Sequence, residues 1–153
     1  MNTRQLLHLY SLFCIWGAQV VASFKKLSRM CFVAGTLVHA STGMVPIEQI
    51  SAGDLVWSQD EFTQTASWKP VVETFITHPT ELYHLGVDID ADGWDDECIT
   101  GTGEHPFYLP ERPEPGFYPL RELVVGDTLL LSSGYTAQVS SLNTQQKYCK
   151  QFY

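Results

Sequence analysis

The chain has too few cysteines for a disulfide scaffold, and their spacing offers no zinc motif. Four are present in 153 residues, Cys14, Cys31, Cys98 and Cys149, and no pair is separated by two residues as in a CxxC ligand pair. A fold held by disulfide bonds and a structural zinc site are therefore both disfavoured. The even count allows two bridges, but nothing in the sequence selects a pairing, so the redox compartment stays open.

Basic residues are scarce as well. Nine Lys and Arg stand against 17 Asp and Glu, and the resulting net charge of −8 argues against a nucleic-acid partner. Much of the negative charge is concentrated in DIDADGWDDE, residues 88–97, which we interpret as a solvated loop. Its alternating aspartates and glycine match the start of an EF-hand calcium loop, but Ile99 occupies the twelfth position, where Glu is needed. We favour a charged hairpin tip over a calcium site, and we predict no metal or cofactor.

No apolar run is long enough for a clear membrane helix. The main apolar stretch, residues 6–22, is about 17 residues long and is diluted by His8, Tyr10 and Gln19, so we expect no stable membrane span. Three interpretations of residues 1–30 stay open: a signal peptide, a membrane span, and an amphipathic helix with its basic end in KKLSR. We favour a helix or linker there.

From Cys31 onward the sequence changes character. Short runs rich in β-branched and aromatic residues alternate with Gly, Pro, Asp and Ser, which predicts an all-β fold in one domain. The ADGW turn at residues 91–94 is expected to form a hairpin tip, because Asp-Gly tolerates positive φ angles. The expected strands are residues 35–40, 54–60, 67–78, 81–89, 97–102, 106–109, 127–132 and 136–142.

An internal repeat is the clearest sign of organisation. PIEQISAGDLV, residues 46–56, aligns without gaps with PLRELVVGDTL, residues 119–129. Each copy predicts a short helical turn that begins at Pro, followed by a Gly-Asp turn that leads into an apolar strand. Two copies are too few for a solenoid. The repeat therefore predicts two related half-domains about a pseudo-two-fold axis.

A candidate for chemistry lies in CITGTGEHPFYL, residues 98–109. Thr102 and His105 are three residues apart, and Pro106 favours an extended or turn conformation at His105. A hydroxyl and an imidazole in one tight turn can act on the same small volume. One would stabilise charge on an oxygen while the other transfers a proton near neutral pH. By itself the motif is weak, because a hydrogen-bonded turn histidine is the ordinary case.

In combination, these segments resemble the Hint (hedgehog/intein) superfamily, and most closely the pretoxin type found in bacterial polymorphic toxins. CFVAGTLVHASTGMVPIEQISAGDLV resembles the opening block of that family, with its nucleophilic cysteine first. ITGTGEHPFYL resembles the second block, and GFYPLRELVVGDTLLLSSG resembles the block after it. The resemblance covers residues 31–142. It implies an all-β, intein-like horseshoe of antiparallel strands with internal pseudo-symmetry, in agreement with the repeat.

The resemblance also implies a reaction on the protein's own chain. Cys31 would attack the carbonyl carbon of Met30 and convert the Met30–Cys31 peptide bond into a thioester, which is an N–S acyl shift. His105 would supply the proton to the departing nitrogen, and Thr102 would bind the oxygen or orient the bond. No cofactor or metal is implied. The implied context is a bacterial secreted or cell-surface protein with a larger toxin parent.

We therefore expect three segments. Residues 1–30 form an N-terminal helix, linker or signal-like segment, residues 31–142 form the Hint domain, and residues 143–153 form a tail of different character. The family pattern continues into further strands and ends in a His-Asn pair, whereas Asn143 follows Leu142 and is interpreted as a polar turn residue. The expectation is thus a C-terminally truncated domain, either active or inactive.

Two other classes of function stay open. One is a non-catalytic β module that binds or packs, in which Cys31 is a small buried core residue. The other is a cysteine hydrolase in which Cys31 and His105 act on an external substrate. It is disfavoured because such cysteines usually begin a helix, whereas Cys31 begins a strand-like run.

Overall fold

A computed structural model describes residues 30–59, 65–131 and 133–146. Every strand pair in these ranges is antiparallel, which confirms the all-β prediction. The helix predicted for residues 1–30 lies, apart from Met30, outside the described residues. No helix in the described ranges has the length and apolar character needed to cross a membrane. The elements are β1 (Leu37–Ala40), β2 (Gly43–Pro46), a first 3₁₀ helix (Ile47–Gln49), β3 (Leu55–Gln59), β4 (Ala66–Pro70), β5 (Glu81–Asp88), β6 (Glu97–Gly101), β7 (Pro106–Leu109), β8 (Gly116–Pro119), a second 3₁₀ helix (Leu120–Glu122), β9 (Thr128–Leu130) and β10 (Thr136–Gln146).

The strands form two larger sheets and a ribbon. One four-stranded sheet has the order β2-β1-β3-β4, the other has the order β6-β5-β10-β9, and β7 pairs with β8 alone. The longest ladder joins β10 to β5 and extends to the pair Gln146 and Glu81, with a bulge between Val139 and Ser141. The first sheet therefore belongs to the first half of the sequence, and the second sheet and ribbon belong to the second half.

The sequence repeat corresponds to a structural repeat. In the first copy the β1–β2 hairpin pairs Leu37 with Pro46, and in the second copy the β7–β8 ribbon pairs Pro106 with Pro119. Each hairpin leads directly into one of the two 3₁₀ helices. Proline suits this entry because its restricted φ fits the first turn and its missing N–H costs no hydrogen bond there.

The Gly-Asp turn after each 3₁₀ helix is also duplicated. Gly53 and Gly126 adopt φ angles of 96° and 93°, a region in which glycine has no steric penalty. One carboxylate oxygen of Asp54 and of Asp127 accepts a hydrogen bond of 2.8 Å from the backbone N–H three residues earlier. The predicted pseudo-two-fold repeat is therefore confirmed.

Several local predictions were wrong. β2 and β8 were not predicted, because each begins with glycine and ends in proline, residues that are typical of turns. The strand expected over residues 67–78 ends at Pro70. Val71 is buried, but the apolar residues after it are exposed, with Val72 at 73% and Ile76 at 54%, and residues 71–76 belong to no described strand. Asn143 lies within β10, opposite His84, and not in a turn, because pairing with β5 carries that strand beyond its predicted end.

The acidic segment connects β5 to β6, so the predicted hairpin is confirmed. Its carboxylates serve largely as backbone acceptors. Asp88 accepts hydrogen bonds from the N–H groups of Ala91 and Gly93, and Asp96 accepts one from Ile89. These bonds satisfy the backbone of the connection and explain the density of acidic residues there.

The buried apolar side chains form two main clusters of unequal size. The smaller one consists of Ala40, Ile50, Val56 and Val71 in the first half. Ile47, in the first 3₁₀ helix, packs against the larger cluster, so the two halves are joined through apolar contact. The larger cluster consists of Phe32, Leu85, Val87, Phe107, Leu109, Leu120, Leu123, Leu129, Leu131, Ala137 and Val139.

Candidate functional site

Cys31 lies just before the first strand of the first half and packs against β5 of the second half. The residue is 4% exposed and packs with Leu82 at the start of β5 and with Val33. The next residue, Phe32, pairs in an antiparallel bridge with Gly101 at the end of β6. The chain therefore carries the Met30–Cys31 peptide bond directly to the Thr-x-x-His turn.

Two hydrogen bonds join Cys31 to Thr102. The backbone N–H of Cys31 donates to Oγ1 of Thr102 at 2.9 Å, and the backbone N–H of Thr102 donates to the carbonyl oxygen of Cys31 at 2.9 Å. The approach is close, because a Cβ atom on Gly101 would lie 3.0 Å from that carbonyl oxygen. The nitrogen that contacts the Thr102 hydroxyl is the nitrogen of the Met30–Cys31 bond.

His105 is fixed by its backbone and buried by its side chain. Its N–H donates to the carbonyl oxygen of Thr102 at 3.0 Å, and its own carbonyl accepts a bond of 2.8 Å from Leu120 in the second 3₁₀ helix. The imidazole lies at a tilt against the ring of Phe32, with ring centroids 3.8 Å apart. It also contacts the ring of Phe107. Neither ring nitrogen has a hydrogen-bond partner.

Burial sets the charge state of this imidazole. It lowers the pKa of His105 to about 3, so the ring is neutral at pH 7. A neutral imidazole has one nitrogen with a free lone pair and one N–H group. The ring can therefore offer one acceptor and one donor, but its low pKa makes it a weak base.

Thr77 is a contact of Cys31 that the sequence did not indicate. Its hydroxyl donates a hydrogen bond of 3.2 Å to Sγ of Cys31. Burial raises the pKa of the Cys31 thiol, and the hydrogen bond from Thr77 opposes that rise only in part. Thr77 lies between β4 and β5, in a stretch that carries no motif, so only its spatial position distinguishes it.

A polar cleft of about 430 Å³ opens beside these residues. Its walls include Thr77, Thr102 and the charged side chains of Glu81, Glu104 and Arg121. Arg121 forms an ion pair with Glu104. The cleft connects the two threonines that contact Cys31 with solvent.

The structure places the residues predicted for the site as follows. Cys31 and Thr102 are in direct hydrogen-bond contact, and Met30 is held beside them through the chain. His105 shares the turn with Thr102 but faces Phe32 and makes no hydrogen bond to Cys31. Among the described residues, the one group that could supply three metal ligands lies in the acidic connection, at Asp88, Asp90 and Asp96, and not at Cys31.

Comparison with known proteins gives a consistent family. The family model described as the pretoxin HINT domain matches residues 37–153, a range that contains Thr102 and His105 and begins shortly after Cys31. A bacterial intein-like domain from Clostridium thermocellum, solved in solution, is 35% identical over 80% of this chain and 82% of that chain, with a TM-score of 0.69. No curated protein matches the chain.

More distant inteins share the fold. A DnaB intein from Synechocystis sp. PCC 6803 is 18% identical over 76% of this chain and 81% of that chain, with a TM-score of 0.60. The gp41-1 intein is 18% identical over 80% of this chain and 83% of that chain, with a TM-score of 0.61. Together with the match to the family model and the bacterial intein-like structure, these similarities lead to one assignment. The chain belongs to the pretoxin Hint domain family and has the fold of inteins and bacterial intein-like domains.

Proposed function

We propose that this domain processes its own chain, and that Cys31 carries out an N–S acyl shift at the Met30–Cys31 peptide bond. The observation that carries the proposal is the 2.9 Å hydrogen bond from the Cys31 backbone N–H to Oγ1 of Thr102. It ties the nitrogen of the bond to be broken to the hydroxyl of the Thr-x-x-His turn. Any buried backbone N–H needs an acceptor, so the support lies in the identity of this acceptor, which is the threonine of the Thr-x-x-His turn.

The reaction balances within the chain. Sγ of Cys31, after loss of its proton, attacks the carbonyl carbon of Met30, and the carbonyl oxygen gains negative charge in the tetrahedral intermediate. The C–N bond then breaks and the electron pair goes to the Cys31 nitrogen, which takes up one proton. The products are a thioester between Met30 and Sγ and a free α-amino group on Cys31. The thiol proton and the new amine proton cancel, so no oxidant or cofactor is consumed.

Thr102 and His105 are proposed to act on the departing nitrogen. The Thr102 hydroxyl orients the peptide bond through the nitrogen, which supports the orienting role and not the binding of the Met30 oxygen. His105 is neutral, so its N–H can pass a proton to the departing nitrogen while its other ring nitrogen takes up the proton leaving the sulfur, in one concerted relay that forms no free imidazolium. Its two ring nitrogens have no partner that would compete for this transfer.

The intramolecular arrangement favours self-processing over hydrolysis of an external substrate. The peptide bond and the nucleophile are adjacent in the chain, so effective concentration replaces substrate binding. We extend the proposal to the protein's context: the domain belongs to a larger secreted or cell-surface toxin parent, and its own polypeptide is its substrate. The pretoxin family match supports this context.

The test is the intact mass of the purified protein, with and without dithiothreitol. We expect the thiol to release residues 31–153 from the N-terminal segment, and we expect Cys31→Ala to abolish the release. Cys98→Ala is the matched control, since Cys98 is exposed in β6, and it should cleave like the wild type. An unchanged mass in the wild-type protein would contradict the proposal and favour a non-catalytic β module.

A further inference from the structure

We infer that Thr77 is the positioning residue of the nucleophile: its hydroxyl holds Sγ of Cys31 and stabilises the thiolate form. This inference rests on the proposed function, because it assigns a role in the same acyl shift. The contact is the 3.2 Å hydrogen bond from Oγ1 of Thr77 to the sulfur.

The surroundings of Cys31 create the need for such a group. The thiolate is the reactive form, but Cys31 is 4% exposed and packs with Leu82 and Val33, which stabilise no charge. The imidazole of His105 does not hydrogen-bond to the sulfur, and neither of its ring nitrogens has any hydrogen-bond partner. Thr77 therefore supplies a donor to a nucleophile that is otherwise set among apolar side chains.

A hydroxyl donor acts on both the charge and the direction of the sulfur. A hydrogen bond given to the charged form stabilises the thiolate more than the thiol, which counteracts the effect of burial on the thiol pKa. It also restricts rotation of the Cys31 side chain, and the reaction depends strongly on the direction from which sulfur approaches the carbonyl carbon. Threonine suits this task because its β-branched side chain has few χ1 rotamers.

The fold places Thr77 beside Cys31. It lies a few residues before β5, where Leu82 is 1% exposed and packs against Cys31 itself. Thr77 also forms part of the wall of the polar cleft. The hydroxyl thus lies between the buried sulfur and the cleft.

The experiment measures the reactivity of the sulfur separately from cleavage. Full-length wild type, Thr77→Val, Thr77→Ser and Thr80→Val are alkylated with iodoacetamide across a pH series, and modification of Cys31 is followed by peptide mass mapping. Valine keeps the shape of threonine and removes the donor, whereas serine keeps the donor. Thr80 lines the same cleft without contacting the sulfur, so Thr80→Val is the matched control. Alkylation of the exposed Cys98 gives an internal reference for the reagent, and the circular dichroism spectrum checks that each variant is folded.

We expect Thr77→Val to raise the apparent pKa of Cys31 by about one unit, which slows its alkylation about tenfold below that pKa. Thr77→Ser should stay within about twofold of the wild type, since it keeps the donor. Thr80→Val should not differ from the wild type. Cleavage in dithiothreitol should follow the same order.

Two results would overturn the assignment. One is an unchanged pH profile for Cys31 in Thr77→Val. The other is a Thr77→Ser variant that behaves like Thr77→Val, since this would show that the methyl group matters and the donor does not. Failure of the proposed function is distinguishable: if the wild type never cleaves but Thr77→Val still shifts the alkylation profile, the acyl shift is wrong and the contact with the sulfur stands.

Discussion

At the scale of single residues, the candidate site is defined by the contacts of one residue, Cys31. The nitrogen of Cys31 donates to Thr102, and the sulfur of Cys31 accepts from Thr77. His105 lies in the same turn as Thr102, but its imidazole packs on Phe32 and makes no hydrogen bond to Cys31. The backbone nitrogen, the sulfur and the imidazole therefore contact three different side chains, those of Thr102, Thr77 and Phe32.

Thr102→Val should separate orientation of the peptide bond from folding. Valine keeps the volume of the buried threonine and removes the acceptor of the Cys31 N–H, so we expect release in dithiothreitol to slow about 100-fold. Thr102→Ser, which retains the hydroxyl, should recover most of the rate. Thr100→Val, in β6, is the control. Equal rates in Thr102→Val and the wild type would remove Thr102 from the mechanism.

His105 should make the protein sensitive to acid. Its pKa is about 3 in the folded state and about 6.5 when unfolded, so between these values the unfolded state binds more protons and stability falls as the pH falls. Each unit is worth on the order of 1.4 kcal/mol, and the total is a few kcal/mol at most. His105→Gln should flatten the loss of stability between pH 6.5 and 3 in urea unfolding. The exposed His78→Gln should leave it unchanged, and an equally steep loss in His105→Gln would contradict the assignment.

At the scale of elements, the molecule uses one hairpin and turn unit twice for different purposes. The first copy follows Cys31 and belongs to the first sheet, β2-β1-β3-β4. The second copy holds the Thr-x-x-His turn, because Leu120 of its 3₁₀ helix bonds to the carbonyl of His105. The corresponding bond in the first copy runs from Ile47 to the carbonyl of Thr36. The repeat thus places a polar residue at the same backbone position in both copies, and only the second is a candidate for proton transfer.

The two Gly-Asp turns should differ in their contribution to stability. The carboxylate of Asp54 accepts from the N–H of Ser51, whereas the carboxylate of Asp127 accepts from Val124 and also from two nitrogens of Arg112, at 2.8 and 2.6 Å. We expect Asp127→Ala to lower the free energy of unfolding by about 2 kcal/mol and Asp54→Ala by about 1 kcal/mol or less. Urea denaturation measures both, and an equal loss would show that the contact with Arg112 adds nothing.

The Asp127 contribution should also depend on pH. Burial raises the pKa of Asp127, but the hydrogen bonds from Arg112 and Val124 and the charge of Arg112 outweigh it, so the pKa is lowered. The stabilisation is therefore complete above the unfolded value of about 3.9 and is lost as the pH falls through the folded value. Asp127→Asn should remove this dependence below pH 4, which the same denaturation series would reveal.

At the scale of the whole molecule, unequal cores predict unequal local stability. The larger cluster lies under the second sheet and the ribbon, while the smaller consists of four buried residues under the first sheet. We expect the amides of β1–β4 to exchange hydrogen through a partial opening of lower free energy than those of β5–β10. Leu85→Ala, in the larger cluster, should cost about 2–5 kcal/mol of global stability. Val56→Ala should mainly accelerate exchange in β1–β4, and uniform exchange in both halves would contradict this division.

The sequence by itself determined the features that depend on local pattern. Alternating β-branched and aromatic runs identified most strands, and the matching Pro and Gly-Asp positions identified the repeat, since turn and strand preferences act over a few residues. The Thr-x-x-His turn was found for the same reason. β2 and β8 were missed because glycine and proline at their ends are typical of turns. The run beyond Pro70 was predicted wrongly because apolar composition does not supply a partner strand.

Only the tertiary structure decided how the site is assembled. The contacts of Cys31 span 71 residues to Thr102 and 46 residues to Thr77, and no local preference encodes a contact at such separations. The neutrality of His105 likewise follows from the packing of Phe32 and Phe107 around its ring, since desolvation by burial is what lowers its pKa. Local patterns name the reactive groups, whereas burial and long-range hydrogen bonds determine their charge, direction and partners.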